Sequence, residues 1–267
     1  MEVLLFLFII VLVVGPFYWI ATTSFKSTYE IYDPIPSLFP KQFSLMHWKN
    51  LLVGTDYPYF MKNSAIVSSA AVVITLVISA MAAYALHRPA FRGKELLSRL
   101  ILISYMFPGI LLLVPLYQMF SRMNLIDNLI SIPIVLVAFS TPMSTWLLAS
   151  FFQFIPYEVE ESALMDGASR IGVLSKIIIP LLRPGLAAVG IYVFITSWGE
   201  YMFASVFLNT QLKRTLPVGL AMLTDQYRLD WGLLAAGATA ICVPVIILFA
   251  ILGRRFVEGM LTGSTKG

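Results

Sequence analysis

The chain alternates between long stretches that hold no charged residue and short polar connections. Charge-free windows cover residues 3–25, 63–87, 100–121, 128–157 and 231–253, and a sixth, 184–212, is interrupted only by Glu200. A helix rises about 1.5 Å per residue, so about 20 residues cross a hydrocarbon core of roughly 30 Å, and each window is long enough. Amides in lipid must bond within their own segment, and continuous apolar runs lack the alternation of barrel strands. The pattern therefore predicts an all-α, polytopic membrane protein with six transmembrane helices. The first window reads as a retained span and not a secretory signal. It lacks a basic leader, is too long, and runs through Phe17, Tyr18 and Trp19 without a small-residue cleavage site.

The connections differ from one another. Residues 24–62 form a long external segment broken by Pro34, Pro36, Pro40 and Pro58, in which Met46, Trp48, Leu51 and Leu52 predict a short amphipathic helix. A second external segment, 209–230, carries Lys213, Arg214, Pro217, Asp225, Arg228 and Asp230. An even number of spans puts both termini on one side. Ten of the 18 Lys and Arg residues fall on the side that carries Arg254, Arg255 and Lys266, which favours cytoplasmic termini. No repeat or linker divides the chain, so a single membrane domain over 1–267 is expected.

Composition agrees with that picture. Hydrophobic residues make up 59% and charged residues 12%, far from the balance of an ordinary soluble domain. The net charge of +4 is spread between apolar stretches rather than gathered on one face, which argues against nucleic acid as a partner. Cys242 is the one cysteine and makes no internal disulfide. His47 and His87 lie on opposite sides and form no zinc pair, so a membrane-embedded metalloenzyme is disfavoured. Gly167 to Gly172 has the glycine spacing of a phosphate loop, but Val173 and Leu174 stand where lysine and a hydroxyl are needed.

Within the spans, Glu200 is the one acidic residue. A charge in lipid is costly unless it faces a cavity or a partner, so Glu200 is expected to point inward, with Trp198 and Tyr201 beside it. Aromatic surface next to a carboxylate suits a sugar pocket, although the same residues also suit an interfacial belt or a contact with a companion subunit. Tyr105 and Gln118 are further candidates for the path. A secondary transporter coupled to ions would carry more titratable groups in its spans than Glu200 alone.

The connection 153–183 has its own internal order. Pro156 can start a helix, and Glu158, Glu160 and Glu161 follow where negative charge complements the helix dipole. Gly167 can supply a turn, and Ile171, Leu174 and Ile178 give a second apolar face, so two short helices meeting at Gly167 are expected. The segment reads Glu161-Ser162-Ala163, three residues, Gly167, nine residues, Ile177, one residue, then Ile179-Pro180. This resembles the Glu-Ala-Ala loop of permease subunits in binding-protein-dependent ABC importers, with Ser162 in place of the first alanine and Ile179 in place of leucine. Residues 194–201, 214–220 and 256–263 extend the resemblance to maltose-type carbohydrate permeases over nearly the whole chain.

The resemblance implies the type I importer permease fold and a division of labour. The loop would be an ATPase-coupling site built from Glu160, Glu161, Ser162, Ala163, Leu164, Asp166, Gly167, Ile177 and Pro180. Its first helix would sit in a groove of a cytosolic ATPase, with Glu161 facing a basic residue there and Ala163 and Leu164 packing. The implied partners are a second permease subunit in a heterodimer, a cytosolic ATPase dimer, an extracytoplasmic sugar-binding protein, the sugar itself and membrane lipid. ATP and magnesium would belong to the ATPase, with no cofactor held by this chain. A polyol or glycerol phosphate is the alternative cargo.

Overall fold

The computed structural model describes residues 2–87, 93–224 and 229–264, with side chains for 3–87, 93–224 and 229–253. Arg88, Arg92, Asp225, Arg228, Lys266 and the side chains of Arg254, Arg255 and 256–263, all used in the sequence reading, lie outside this description. No strand occurs among the described residues. In chain order, α1 covers Glu2–Thr23, α2 Thr28–Ile31, α3 Met46–Val53, α4 Tyr57–His87, α5 Lys94–Tyr105, α6 Gly109–Arg122 and α7 Ser131–Phe152. There follow α8, Tyr157–Met165; α9, Arg170–Val173; a π turn, Leu174–Ile178; α10, Ile179–Leu181; α11, Arg183–Trp198; α12, Met202–Phe207; α13, Leu216–Met222; and α14, Trp231–Ser264.

Four helices, α1, α4, α7 and α14, are each long and apolar enough to cross a membrane unbroken. The third expected span is bent within its window, and the fifth is bent at its entrance, where the helical end of the 153–183 connection meets it. Helices α5 and α6 meet at 94°, and the helical stretch Arg170–Leu181 meets α11 at 79°. Proline accounts for both bends. Pro108 caps α6 with an extended backbone (φ −65°, ψ 122°), and its missing N–H ends the ladder that α5 would otherwise continue. Pro184 stands in the first turn of α11 directly after Leu182 leaves helical geometry. Counting each bent pair as one span gives the six that the charge gaps predict.

Two compact units divide the chain: residues 1–64 with 209–247, and 65–208 with 248–267. In the first, the expected amphipathic helix is α3, whose His47 and Leu51 are fully buried. The loop after α2 is pinned by charge. Lys26 lies over the Trp19 ring at 4.1 Å and donates to the Ser37 carbonyl at 2.5 Å, while the Glu30 carboxylate accepts from the Ser37 hydroxyl and from the Lys41 N–H at 2.9 Å. Burial alone would raise the Glu30 pKa. The Ser37 hydroxyl, the Lys41 amide and the charge of Lys26 outweigh it and hold the carboxyl below its usual range.

Residues 211–216 are likewise tied down by side chains reaching from α4 and the turn before it. Asn63 Nδ2 donates to the carbonyls of Leu212 and Arg214 at 2.8 and 2.9 Å, the Leu216 N–H donates to Ser64 Oγ at 2.8 Å, and Gln211 donates to Asp56 at 2.8 Å. Helix α13 then lies so close to α4 that a Cβ on Gly219 would stand 2.1 Å from the buried Phe60 ring. A Gly219→Ala substitution is therefore expected to destabilise this unit by about 1–3 kcal/mol. Thermal melting of the purified protein checks it, and an unchanged midpoint would reject the close approach.

In the second unit, α7 is the central helix, packed against α5, α11 and α12. Its inward positions are Ile132, Val135, Leu136, Ser140, Ser144, Thr145, Leu148 and Phe152. An aromatic cluster of Phe120, Phe139, Phe203 and Phe207 fills the space beside it, with ring centroids 5.3–5.8 Å apart. The Asp127 N–H donates to the Phe207 carbonyl at 2.7 Å and closes that end of the unit.

Candidate functional site

Helix α8 begins where the sequence places it, with Pro156 as the N-cap and Glu158 and Glu160 in the first turn. It stops at Met165 through a Schellman turn. The Ala168 N–H donates to the Ala163 carbonyl and the Gly167 N–H to the Leu164 carbonyl, both at 3.0 Å, with Gly167 left-handed at φ +82°. A side chain other than hydrogen is strained at that φ, which is why glycine stands there. Ser169 then caps α9, its hydroxyl accepting the Gly172 N–H at 3.1 Å. The two short helices and their glycine joint are present as expected, but a π turn at Leu174–Ile178 interrupts the second.

Burial separates the residues expected to couple to an ATPase into two groups. Glu160 and Ala163 turn into the unit, 2% and 9% exposed. The Tyr84 hydroxyl of α4 donates to Glu160 Oε1 at 2.6 Å. The Phe152 ring lies beside Tyr84 with centroids 6.2 Å apart and stacks on His87 at 5.4 Å, so the last turns of α4 and α7 form the seat of α8. Glu161, Ser162, Asp166 and Gly167 are exposed, and Leu164, Ile177 and Pro180 are half-buried. The exposed row continues with Met165 at 88% and Ile171 at 80%, two large apolar side chains on either side of the joint. Large exposed apolar groups rimmed by acids mark a docking surface.

The candidates for the substrate path do not line one pocket. Trp198 is 4% exposed and stacks on Phe194 with centroids 5.3 Å apart. Glu200 falls in the break between α11 and α12, where its carboxylate accepts the Phe203 N–H at 2.6 Å and the Ala204 N–H at 3.0 Å. It thus caps α12, the backbone groups that helix α11 would have satisfied having been freed by the break at Gly199. Tyr105, Tyr201 and Gln118 are exposed. An apolar cavity of about 260 Å³ beside α6 and α7, lined by Leu112, Leu116, Phe120, Val135 and Phe139 among others, includes none of these five residues. Replacing Glu200 by alanine is expected to cost about 0.5–2 kcal/mol and to speed amide exchange of residues 201–207; protection equal to that of the unaltered chain would argue against the cap. No group of His, Cys, Asp and Glu suited to a metal ion occurs among the described residues.

Residues 75–261 match the family described as binding-protein-dependent transport system inner membrane component. The inner membrane ABC transporter permease protein YcjP of Escherichia coli is 34% identical over 97% of this chain and 93% of its own length. The chain belongs to this family. The trehalose transport system permease protein SugB of Mycobacterium tuberculosis is also 34% identical, covering 96% of this chain and 95% of its own. In fold, a bacterial ABC transporter involved in the import of the acidic polysaccharide alginate superposes with a TM-score of 0.85 at 23% identity, over 96% of this chain and 95% of that one. The permease is accordingly an inner-membrane transport subunit and not an enzyme, since in such systems a separate subunit carries the ATPase.

Two residues of the permease's coupling region escaped the sequence reading. Tyr84 sits among alanines in α4 and only its bond to Glu160 reveals a role. Met165 stands directly before the Asp-Gly turn, four residues after Glu161, a spacing that puts both on one face.

Proposed function

We propose that this permease is one of two non-identical subunits lining the path of a carbohydrate importer, a single membrane domain with both termini cytoplasmic. A cytosolic ATPase pair holds ATP and magnesium and docks on α8. An extracytoplasmic binding protein delivers the sugar to the side that carries residues 24–62 and 209–230. The observation that carries the reading is the division of α8, where Glu161, Ser162 and Met165 are presented outward while Glu160 and Ala163 tie the helix to the chain. A contact of this kind meets the requirement that a ligand-driven cycle bias two states through differential interaction, because the helix is stiff and its seat is formed within the permease. The trehalose permease named above supports a sugar as cargo.

The test is reconstitution in vesicles with the companion permease, the ATPase and the binding protein. Labelled sugar is expected to accumulate only when ATP and all four components are present. Accumulation by this chain alone would sink the proposal.

A further inference from the structure

A pocket of about 200 Å³ lies in the second unit, between the end of α4, the first turns of α5 and the end of α7. Its polar lining is His87, Lys94, Ser98, Thr145 and Gln153, with the Trp146 indole at its edge. No carboxylate lines it. The nearby acid, Glu95, is 88% exposed and faces Arg99 at 3.7 Å on the solvent side of α5. Thr145 is 1% exposed, and its hydroxyl oxygen is buried without a hydrogen-bond partner. That oxygen lies behind the pocket wall and out of reach of a guest, so the polar side chains that can meet one are those of Lys94, Ser98 and Gln153. Helix α5 adds to this, because its N-cap is Gly93 (φ +91°), which contributes no side-chain acceptor to the first-turn amides.

The remainder of the lining is apolar: Leu86, Ile101, Leu102 and Ala149. It runs on without interruption to Leu97, Leu100 and Ile103 of α5, which are 41–54% exposed. Trp146, 52% exposed, is the kind of residue that marks the level of lipid head groups. A free anion has no use for the apolar half of this site, whereas an acidic phospholipid uses both halves. We propose that the pocket holds the phosphodiester head group of an acidic phospholipid from the leaflet on the coupling-helix side. Lys94 and Gln153 face the phosphate, and the acyl chains lie along α5. The site borders the seat of α8, since Tyr84, one turn before His87, is the residue that bonds Glu160. The inference does not depend on what docks on α8.

The experiment uses the full chain in nanodiscs of phosphatidylcholine and phosphatidylglycerol, followed by native mass spectrometry of retained lipid. Phosphatidylglycerol is expected to be retained over phosphatidylcholine. Lys94→Gln is expected to lower that retention about fivefold, the effect of one lysine at a charged surface. Gln153→Leu is expected to lower it as well, and Thr145→Val and Arg99→Gln to leave it unchanged. Equal retention of the two lipids, or full retention in both Lys94→Gln and Gln153→Leu, overturns the assignment. Displacement of the lipid by millimolar glycerol phosphate also overturns it, in favour of a soluble anion. A thermal midpoint raised by phosphatidylglycerol in the unaltered chain and not in Lys94→Gln supports it by an independent readout.

Discussion

Changing Glu161 to alanine together with Met165 to glutamate is expected to lower sugar uptake at least about tenfold while the permease stays folded in the membrane, a loss of ~1.4 kcal/mol or more in the docking contact. Both side chains are on the outward face of α8, with Met165 almost wholly exposed. Their loss therefore takes nothing from the permease's own packing, and its melting should not move. A glutamate at 165 puts a charge where the proposed contact is apolar, while the alanine removes the carboxylate proposed to meet a basic residue of the partner. Co-purification of the ATPase measures the effect directly. Normal uptake with the ATPase still bound would show that α8 docks nowhere through this face.

A second substitution, one residue earlier, is expected to act in the opposite way. Glu160→Ala removes a buried carboxylate that the Tyr84 hydroxyl bonds at 2.6 Å, and leaves a void beneath α8. Hydrogen bonds to charged groups are worth about 1.5–3 kcal/mol, so the seat of the helix loosens by that order. The expected signature is ATP hydrolysis that continues with less sugar moved per ATP, together with faster proteolysis of residues 153–183. Tyr84→Phe, which keeps the ring beside Phe152, is expected to reproduce a milder form. Should Glu160→Ala instead release the ATPase with the loop still protected, Glu160 faces the partner and its inward placement fails.

Much of the fold was legible because charge is so costly in lipid that its absence outlines a span. That reasoning located α1, α4, α7 and α14 directly. It did not reveal the bends at the third and fifth spans, for a physical reason: hydropathy sums transfer energies and contains no term for direction. Pro108 and Pro184 were visible, but whether a proline in an apolar run bends a helix slightly or turns it by 94° depends on what neighbours satisfy the freed carbonyls. Glu200 shows the same limit. A lone acid in an apolar window signals something unusual, and what hydropathy does not contain is that the carboxylate caps the backbone of α12.

For the proposed coupling site, spacing was enough to place the helix and its glycine joint. It was not enough to orient them. Glu160 and Glu161 are adjacent, share a charge and stand about 100° apart around the helix, so only the seat formed by Tyr84 and Phe152 decides which one is buried.

The π turn at Leu174–Ile178 bears on how chain length can vary here. Such a turn is an α-helix holding one surplus residue, with the faces before and after it kept in phase. Losing a single residue from this stretch lets it relax to ordinary α geometry, whereas the same deletion anywhere else in α8 or α11 rotates everything downstream by about 100°. The arm between the joint and the membrane thus contains one tolerated gap in an otherwise length-locked path.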